Sequence, residues 1–261
     1  MGVKQTDVMR VIINADDLGM DVKTNTMVFE LMSSGKITSA TIMANGKACE
    51  DAVRNQNNFS NCSFGIHLNL TSGKPLSGKT EIVPLLNDDG FFCELDSLID
   101  TPFSPNLMKA VYAEFCMQVE KLQCLGLGIS HIDSHQHIHN LPKIFPIVKL
   151  VQKKYNIRKI RLTKNLYLPE DGGGIFRSIT KKIFNSCMKK MYKSYTTDYF
   201  TGFDTFYRIA QLRIMKGKSA ELMVHLRDRK SGDYALLMHD WRSDLVFPVE
   251  LVSYWQINGV R

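Results

Sequence analysis

Nothing narrows the fold of this chain more than residues 8–14, an apolar and β-branched run interrupted by Arg10 and ending at Asn14, which leads into Asp16-Asp17-Leu18-Gly19. So continuous a run suits a strand covered on both faces, the condition of a parallel strand inside an α/β protein. In such folds the C-terminal rim of the strands carries the chemistry. Two adjacent carboxylates at that point are therefore candidate functional groups.

The rest of the chain repeats the strand-then-helix pattern. Asp21 predicts the cap of a helix running to about Ser34, with Val28, Leu31 and Met32 inward and Gly35 as its stop. Residues 38–43 read as a second strand. Residues 63–71 alternate: Phe64, Ile66, Leu68 and Leu70 share one face, and Ser63, Gly65, His67, Asn69 and Thr71 the other. On an open sheet the polar face would meet water, whereas in a barrel it would point inward, where His67 needs a reason to be. Residues 109–125 have helical periodicity, and residues 157–162 read as another strand. The alternation predicts an α/β architecture with parallel strands. A chain of 261 residues suits one barrel-sized domain, so residues 1–261 are expected to form a single unit. Neither an internal repeat nor a low-complexity linker divides it.

After Gly172-Gly173-Gly174, residues Ile175, Ile179, Ile183, Cys187, Met191 and Tyr195 recur at helical spacing, with Phe176, Phe184 and Met188 widening the stripe. The opposite face is rich in lysine. Packing of the stripe on the barrel is expected, and a membrane-surface role for 175–195 is the less favoured alternative. The net charge is +7, much of it between Lys143 and Lys193. No aromatic-basic signature accompanies it, so it reads as a solvated face and no nucleic-acid partner is expected. No apolar run of spanning length occurs, and the first apolar segment is too short for a signal-peptide core. The six cysteines are scattered without a C-x-x-C pair, which predicts reduced thiols and a cytoplasmic setting.

Chemistry concentrates in His131, Asp133, His135, His137 and His139, alternating within an apolar frame of Ile129, Ile132, Ile138 and Leu141. With strand period two these side chains would share one face until the strand ends. Burying them together is costly without partners. A divalent metal ion supplies one, since imidazole and carboxylate suit zinc and similar ions. Asp16-Asp17 and His67 are further contributors from separate segments.

Three blocks then resemble a known family. Val11-Ile12-Ile13-Asn14-Ala15-Asp16-Asp17-Leu18-Gly19, Gly65-Ile66-His67-Leu68-Asn69-Leu70-Thr71-Ser72-Gly73-Lys74-Pro75 and His131-Ile132-Asp133-Ser134-His135-Gln136-His137-Ile138-His139 look like the signature blocks of the YdjC-like carbohydrate deacetylases, in the family's order and spacing. Residues 35–41 resemble the segment after its first helix, and the likeness weakens beyond about residue 205.

The resemblance implies a distorted (β/α) TIM-like barrel related to polysaccharide deacetylases. It implies one divalent ion, zinc or magnesium, held by Asp17, His67 and His135. Asp16 matches the family's general base. The family's late histidine, the candidate acid, is best matched by His225, although Leu226 stands where proline usually follows. His239 is a weaker match for the same position. The implied substrate is an N-acetylated amino sugar in an oligosaccharide or glycan intermediate, and the implied assembly a homodimer. Asp133, His137 or His139 would orient His135, and Arg161 would either contact substrate or a carboxylate, or form a structural ion pair. Residues 73–96 are expected as a loop over the site.

Rival readings keep the metal chemistry or discard the catalysis. A phosphoesterase would more naturally show two metals and more carboxylate ligands, and a glycosidase needs an acid pair flanking the bond. A binding or membrane-surface protein with a decayed site is the third rival, against which stand all three ligand candidates and the candidate base.

Overall fold

The computed structural model describes residues 8–171, 175–190 and 193–257. The elements come as β1 (Met9–Leu18), α1 (Val22–Ser33), β2 (Ser39–Ile42), α2 (Cys49–Gln56), β3 (Ser63–Leu68), α3 (Leu95–Asp100), α4 (Pro105–Cys124), β4 (Ile132–Ser134), α5 (Phe145–Tyr155), α6 (Ile175–Lys190), β5 (Tyr199–Gly202), α7 (Phe203–Ala210), β6 (Ser219–Val224), α8 (Gly232–Met238) and β7 (Val249–Leu251). Asp21 caps α1 as expected, its carboxylate accepting from the Thr24 amide at 2.7 Å, and Gly35 follows at φ 67°. Ser104 caps α4 through the Leu107 amide.

The strands pair in parallel in the order β4-β3-β2-β1-β6-β5. Beside them β7 pairs with the Met9–Val11 end of β1, ahead of the point where β2 joins at Asn14. Past β4 the expected strand at 157–162 is reduced to single bridges, Ile132 to Ile160 and Lys159 to Tyr195, which continue towards the segment entering β5. The expected α/β barrel thus takes the form of a curled, half-barrel parallel sheet with helices packed around it.

β1 is buried along nearly its whole length, as its composition demanded. β3 is buried on both faces: Phe64, Ile66 and Leu68 join the main core, while His67 faces the interior. Gly65 shares that inner face. A Cβ built there would sit 2.5 Å from the His131 ring, so the small residue makes room for it.

α6 packs differently from expectation. Ile183 is 61% exposed, whereas Met188 is fully buried, Phe184 lies against Phe145 with ring centroids 4.4 Å apart, and Asn185 accepts from the Thr163 amide at 3.1 Å. The helix turns the flank of its stripe inward, because Asn185 satisfies a buried backbone donor that an aliphatic residue would leave unpaired. Met191 and the side chains of Ile175, Phe176 and Ile179 lie outside the described residues, as does the triple glycine. Among the described residues no helix is long and apolar enough to cross a membrane.

Candidate metal centre

Successive strand residues point to opposite faces, yet Asp16 and Asp17 both enter one site. The register between β1 and β2 shifts between Ala15 and Leu18, and Asp17 has a left-handed φ of 65°. One extra residue on β1 forms a bulge that re-aims a side chain, a device common beside active sites. Asp17 then meets His67 from β3, with Oδ1 3.3 Å from Nε2, and His135 from the turn after β4, with Oδ1 2.9 Å from Nδ1. Ligand atoms of these three residues all lie within 4.8 Å of one another, and all three residues are buried.

Two observations test whether a cation suits this triad. Asp17 Oδ2 is buried and accepts no hydrogen bond within the described structure, an arrangement that a cation would relieve. The charge balance points the same way. Asp16, Asp133 and Glu221 share one buried guanidinium, Arg161, while Asp17 has only the exposed Arg227 at 3.8 Å, so buried carboxylates outnumber buried guanidinium groups. His67 registers that excess: burial pushes its pKa down, but Asp133 and then Asp17 and Asp16 lift it to about 10. The donor set of one carboxylate and two imidazoles fits a divalent ion.

Asp133 bonds His67 rather than His135, correcting the expected partnership. Its Oδ1 lies 2.6 Å from His67 Nδ1, and its Oδ2 accepts from Thr41 Oγ1 at 3.0 Å and from Arg161 at 2.8 Å. With the Nδ1 proton held by Asp133, a cation that displaces the second proton of His67 would meet Nε2, the nitrogen aimed at Asp17. A second triad, Asp16, His67 and Asp133, also lies within ligating distance, but its carboxylates are already taken by Arg161.

Arg161 is fully buried and grips Asp16 with two bonds of 2.6 Å, Asp133 with one and Glu221 with its Nε at 2.8 Å. It holds carboxylates; substrate contact would require exposure it does not have. Asn14 Nδ2 adds a 2.9 Å bond to Asp16. Burial pushes the Asp16 carboxyl up, but the Arg161 charge and hydrogen bonds outweigh it and hold it well below the ordinary carboxylate range.

The other histidines of the run stand apart from the triad. β4 ends at Ser134, and Gln136 and His137 both take left-handed φ values, 51° and 57°. Strand periodicity therefore fails where the motif was expected to keep one face. His131 stacks on Tyr254 at 3.6 Å, and burial holds its pKa well below the ordinary value. His139 Nδ1 lies 2.5 Å from Ser134 Oγ. His137 packs edge-on against Phe200, and burial lowers it to about 3.

His225 follows β6 immediately, one residue past the Ala15–Val224 pair, and its amide donates to Asp233 at 2.8 Å. It lines a cleft of about 900 Å³ with Asp204, Tyr207, Arg227, Asp233 and His239. Arg227 links the cleft to the triad, 3.8 Å from Asp17 Oδ2. His239 lies in the same cleft, engaged with Asp244 at 2.8 Å. Residues 73–96 attach at the rim, where Asn45 Nδ2 donates to the Ser72 and Lys74 carbonyls, and then pack on α4, where Glu114 accepts from the Leu76 and Ser77 amides.

Residues 10–244 match the model of the YdjC-like protein family. The chain belongs to this family. It is similar to a carbohydrate deacetylase of Clostridium beijerinckii, 34% identical over 57% of this chain and 58% of that protein. A carbohydrate deacetylase of Geobacillus stearothermophilus is 34% identical over 60% of this chain and 62% of that protein. The matched stretch thus spans about three fifths of these relatives' length. In fold, the chain is similar to a crystal structure from Enterococcus faecalis V583 of a proposed cellobiose-phosphate cleavage protein, at TM-score 0.72 and 19% identity, covering 95% of this chain and 98% of that one.

In this YdjC-like chain the sequence reading overlooked Asn14, Thr41, Glu221, Arg227 and Tyr254. Asn14 carries a legible signal, since it stands two residues before Asp16 on the same face of a strand. Glu221 carries another: a lone carboxylate in the middle of an apolar strand needs a partner. Arg227 and Tyr254 carry none, because their contacts come from loops and a turn far away in sequence.

Proposed function

We propose that the protein is a metal-dependent hydrolase that removes an N-acetyl group from an amino sugar in an oligosaccharide or glycan intermediate. The observation that carries the reading is the convergence of Asp17, His67 and His135 around a buried, unbonded carboxylate oxygen, which Arg227 links to the neighbouring cleft. The similarity to carbohydrate deacetylases supports the choice of an acetylated sugar.

Asp17, His67 and His135 would hold the ion, zinc or magnesium, since this donor set suits either. When bound, a divalent ion supplies Lewis acidity that makes water nucleophilic near neutral pH and polarises an amide carbonyl. Asp133 keeps His67 in the tautomer that offers Nε2. Asp16, kept ionised by Arg161, is the acceptor for a proton from the attacking water. His225, which lines the cleft, would protonate the departing amine. General acid–base help of this kind is worth ~10²–10⁴-fold. Tyr207, Asp204 and Asp233 give the cleft an aromatic face and hydrogen-bonding groups of the kind a sugar ring requires.

The test is acetate release from N-acetylglucosamine oligosaccharides by protein reconstituted with each metal in turn. Metal-dependent release that His135→Ala abolishes is the expected result. Release of phosphate or of a shortened glycan instead would overturn the reading.

A further inference from the structure

The family-matched residues end at 244, yet the chain continues into β7 and a short turn, Tyr254–Gln256, closed by a capping box with Ser253. Tyr254 is fully buried and fixed at four points. Its amide donates to Ser63 Oγ at the start of β3 at 2.9 Å. Its carbonyl accepts from Lys159 Nζ. Its ring stacks on His131 at the entry to β4. Its hydroxyl donates to Glu221 Oε2 on β6 at 2.5 Å.

Glu221 in turn accepts from Arg161 Nε through its other oxygen at 2.8 Å. The same guanidinium spends its remaining edge on Asp16 and Asp133, and Asp133 orients His67. A continuous chain of buried bonds runs from the last turn to a metal-ligand candidate. Glu221 bonds only through one edge of the guanidinium, so its position sets the plane in which Arg161 presents the other edge. A planar, forked donor transmits such an orientation as a flexible ammonium would not.

We infer that Tyr254, with Glu221, is a positioning residue: the segment beyond residue 244 braces Arg161 so that Asp16 and Asp133 stay in register with Asp17, His67 and His135. The inference rests on the metal-centre reading. Removing the Tyr254 hydroxyl leaves a buried Glu221 oxygen unbonded and frees Arg161 to tilt towards it, which loosens Asp133 and with it His67. A group bonded directly to a metal-ligating histidine is worth ~10–100-fold in metal affinity, which bounds from above the effect of Tyr254, acting through Glu221, Arg161 and Asp133.

The experiment measures zinc binding by calorimetry on the full chain after chelator treatment, together with the visible spectrum of the cobalt-loaded protein, which reports ligand geometry. Tyr254→Phe keeps the ring stack and removes one hydroxyl. Gln256→Ala loosens the capping box without touching Glu221 and serves as the control for segment stability. The expected outcome is a zinc affinity weakened by up to ~10-fold and an altered cobalt spectrum in Tyr254→Phe, both unchanged in Gln256→Ala. Glu221→Gln should add little to Tyr254→Phe, because the two residues act through one guanidinium. Wild-type affinity and spectrum in Tyr254→Phe, alongside loss of binding in Asp17→Asn, would overturn the brace and leave the metal centre standing. Equal losses in Tyr254→Phe and Gln256→Ala would reduce Tyr254 to a stability role and also overturn it. A wild-type chain that binds no stoichiometric zinc, magnesium or cobalt would overturn both readings.

Discussion

Asp17 holds a backbone conformation that costs a non-glycine residue ~1–3 kcal/mol, and it does so where its carboxylate meets two histidines. Strain at such a point is consistent with a position set by its side chain's task. Its neighbour Asp16 lives under opposing forces. Burial disfavours its charge and Arg161 favours it more strongly, so the folded-state pKa lies well below the ordinary 3.8. A carboxylate depressed by folding adds stability that is fully present above its unfolded pKa and is lost as the pH falls through that value and below. Urea denaturation across acidic pH should therefore show wild-type stability declining below about pH 3.8, with a shallower decline in Asp16→Asn. Parallel declines would contradict the pairing with Arg161. Arg161 itself neutralises several buried carboxylates, and removing one partner of such a group typically costs ~3–5 kcal/mol.

Elements were legible to the extent that one local signal decided them. The cap at Asp21, the helix through 109–125 and the alternation at residue 64 onward each follow from near-neighbour chemistry, and each stands close to where the sequence places it. The strand expected at 157–162 shrank to single bridges, because pairing there depends on partners distant in sequence. The histidine run departs at Ser134, where two left-handed residues end the alternation. α6 shows the same limit: helical spacing located the stripe, but its rotation was decided by Phe145 and Thr163. That rotation is open to a paired test. Met188→Ala should cost ~2–5 kcal/mol, as expected for a fully buried methionine, while Ile183→Ala, on an exposed position, should change stability by no more than ~0.5 kcal/mol. Thermal or urea denaturation of the two variants decides it, and the reverse order would restore the stripe's original face.

At the scale of the whole molecule, the curled sheet brings β1, β3 and the turn after β4 to one rim and leaves negative charge gathered under it. A ligand that binds only the folded state stabilises it by mass action, ~2.7 kcal/mol at a hundred times its Kd. Zinc added to that excess should raise the unfolding free energy by about this amount in the wild type, and Asp17→Asn should show no such gain. Equal gains in both proteins would place the bound ion elsewhere.

By itself the sequence determined the parallel α/β class and the family to which the chain belongs, and it was the resemblance to that family that singled out Asp17, His67 and His135, which the fold brings together. Those facts rest on periodicity, on adjacent residue types and on motif order, all of which can be read along one dimension. Tertiary structure alone decided that Asp16 and Asp17 share one site through a bulge, that Asp133 serves His67, that Arg161 is consumed in holding carboxylates, and that Tyr254 reaches Glu221 from the far end of the chain. Each of these depends on which buried donor meets which buried acceptor, and that choice is made by the three-dimensional closure of the sheet, because a polar group removed from water takes whichever partner the fold sets within reach.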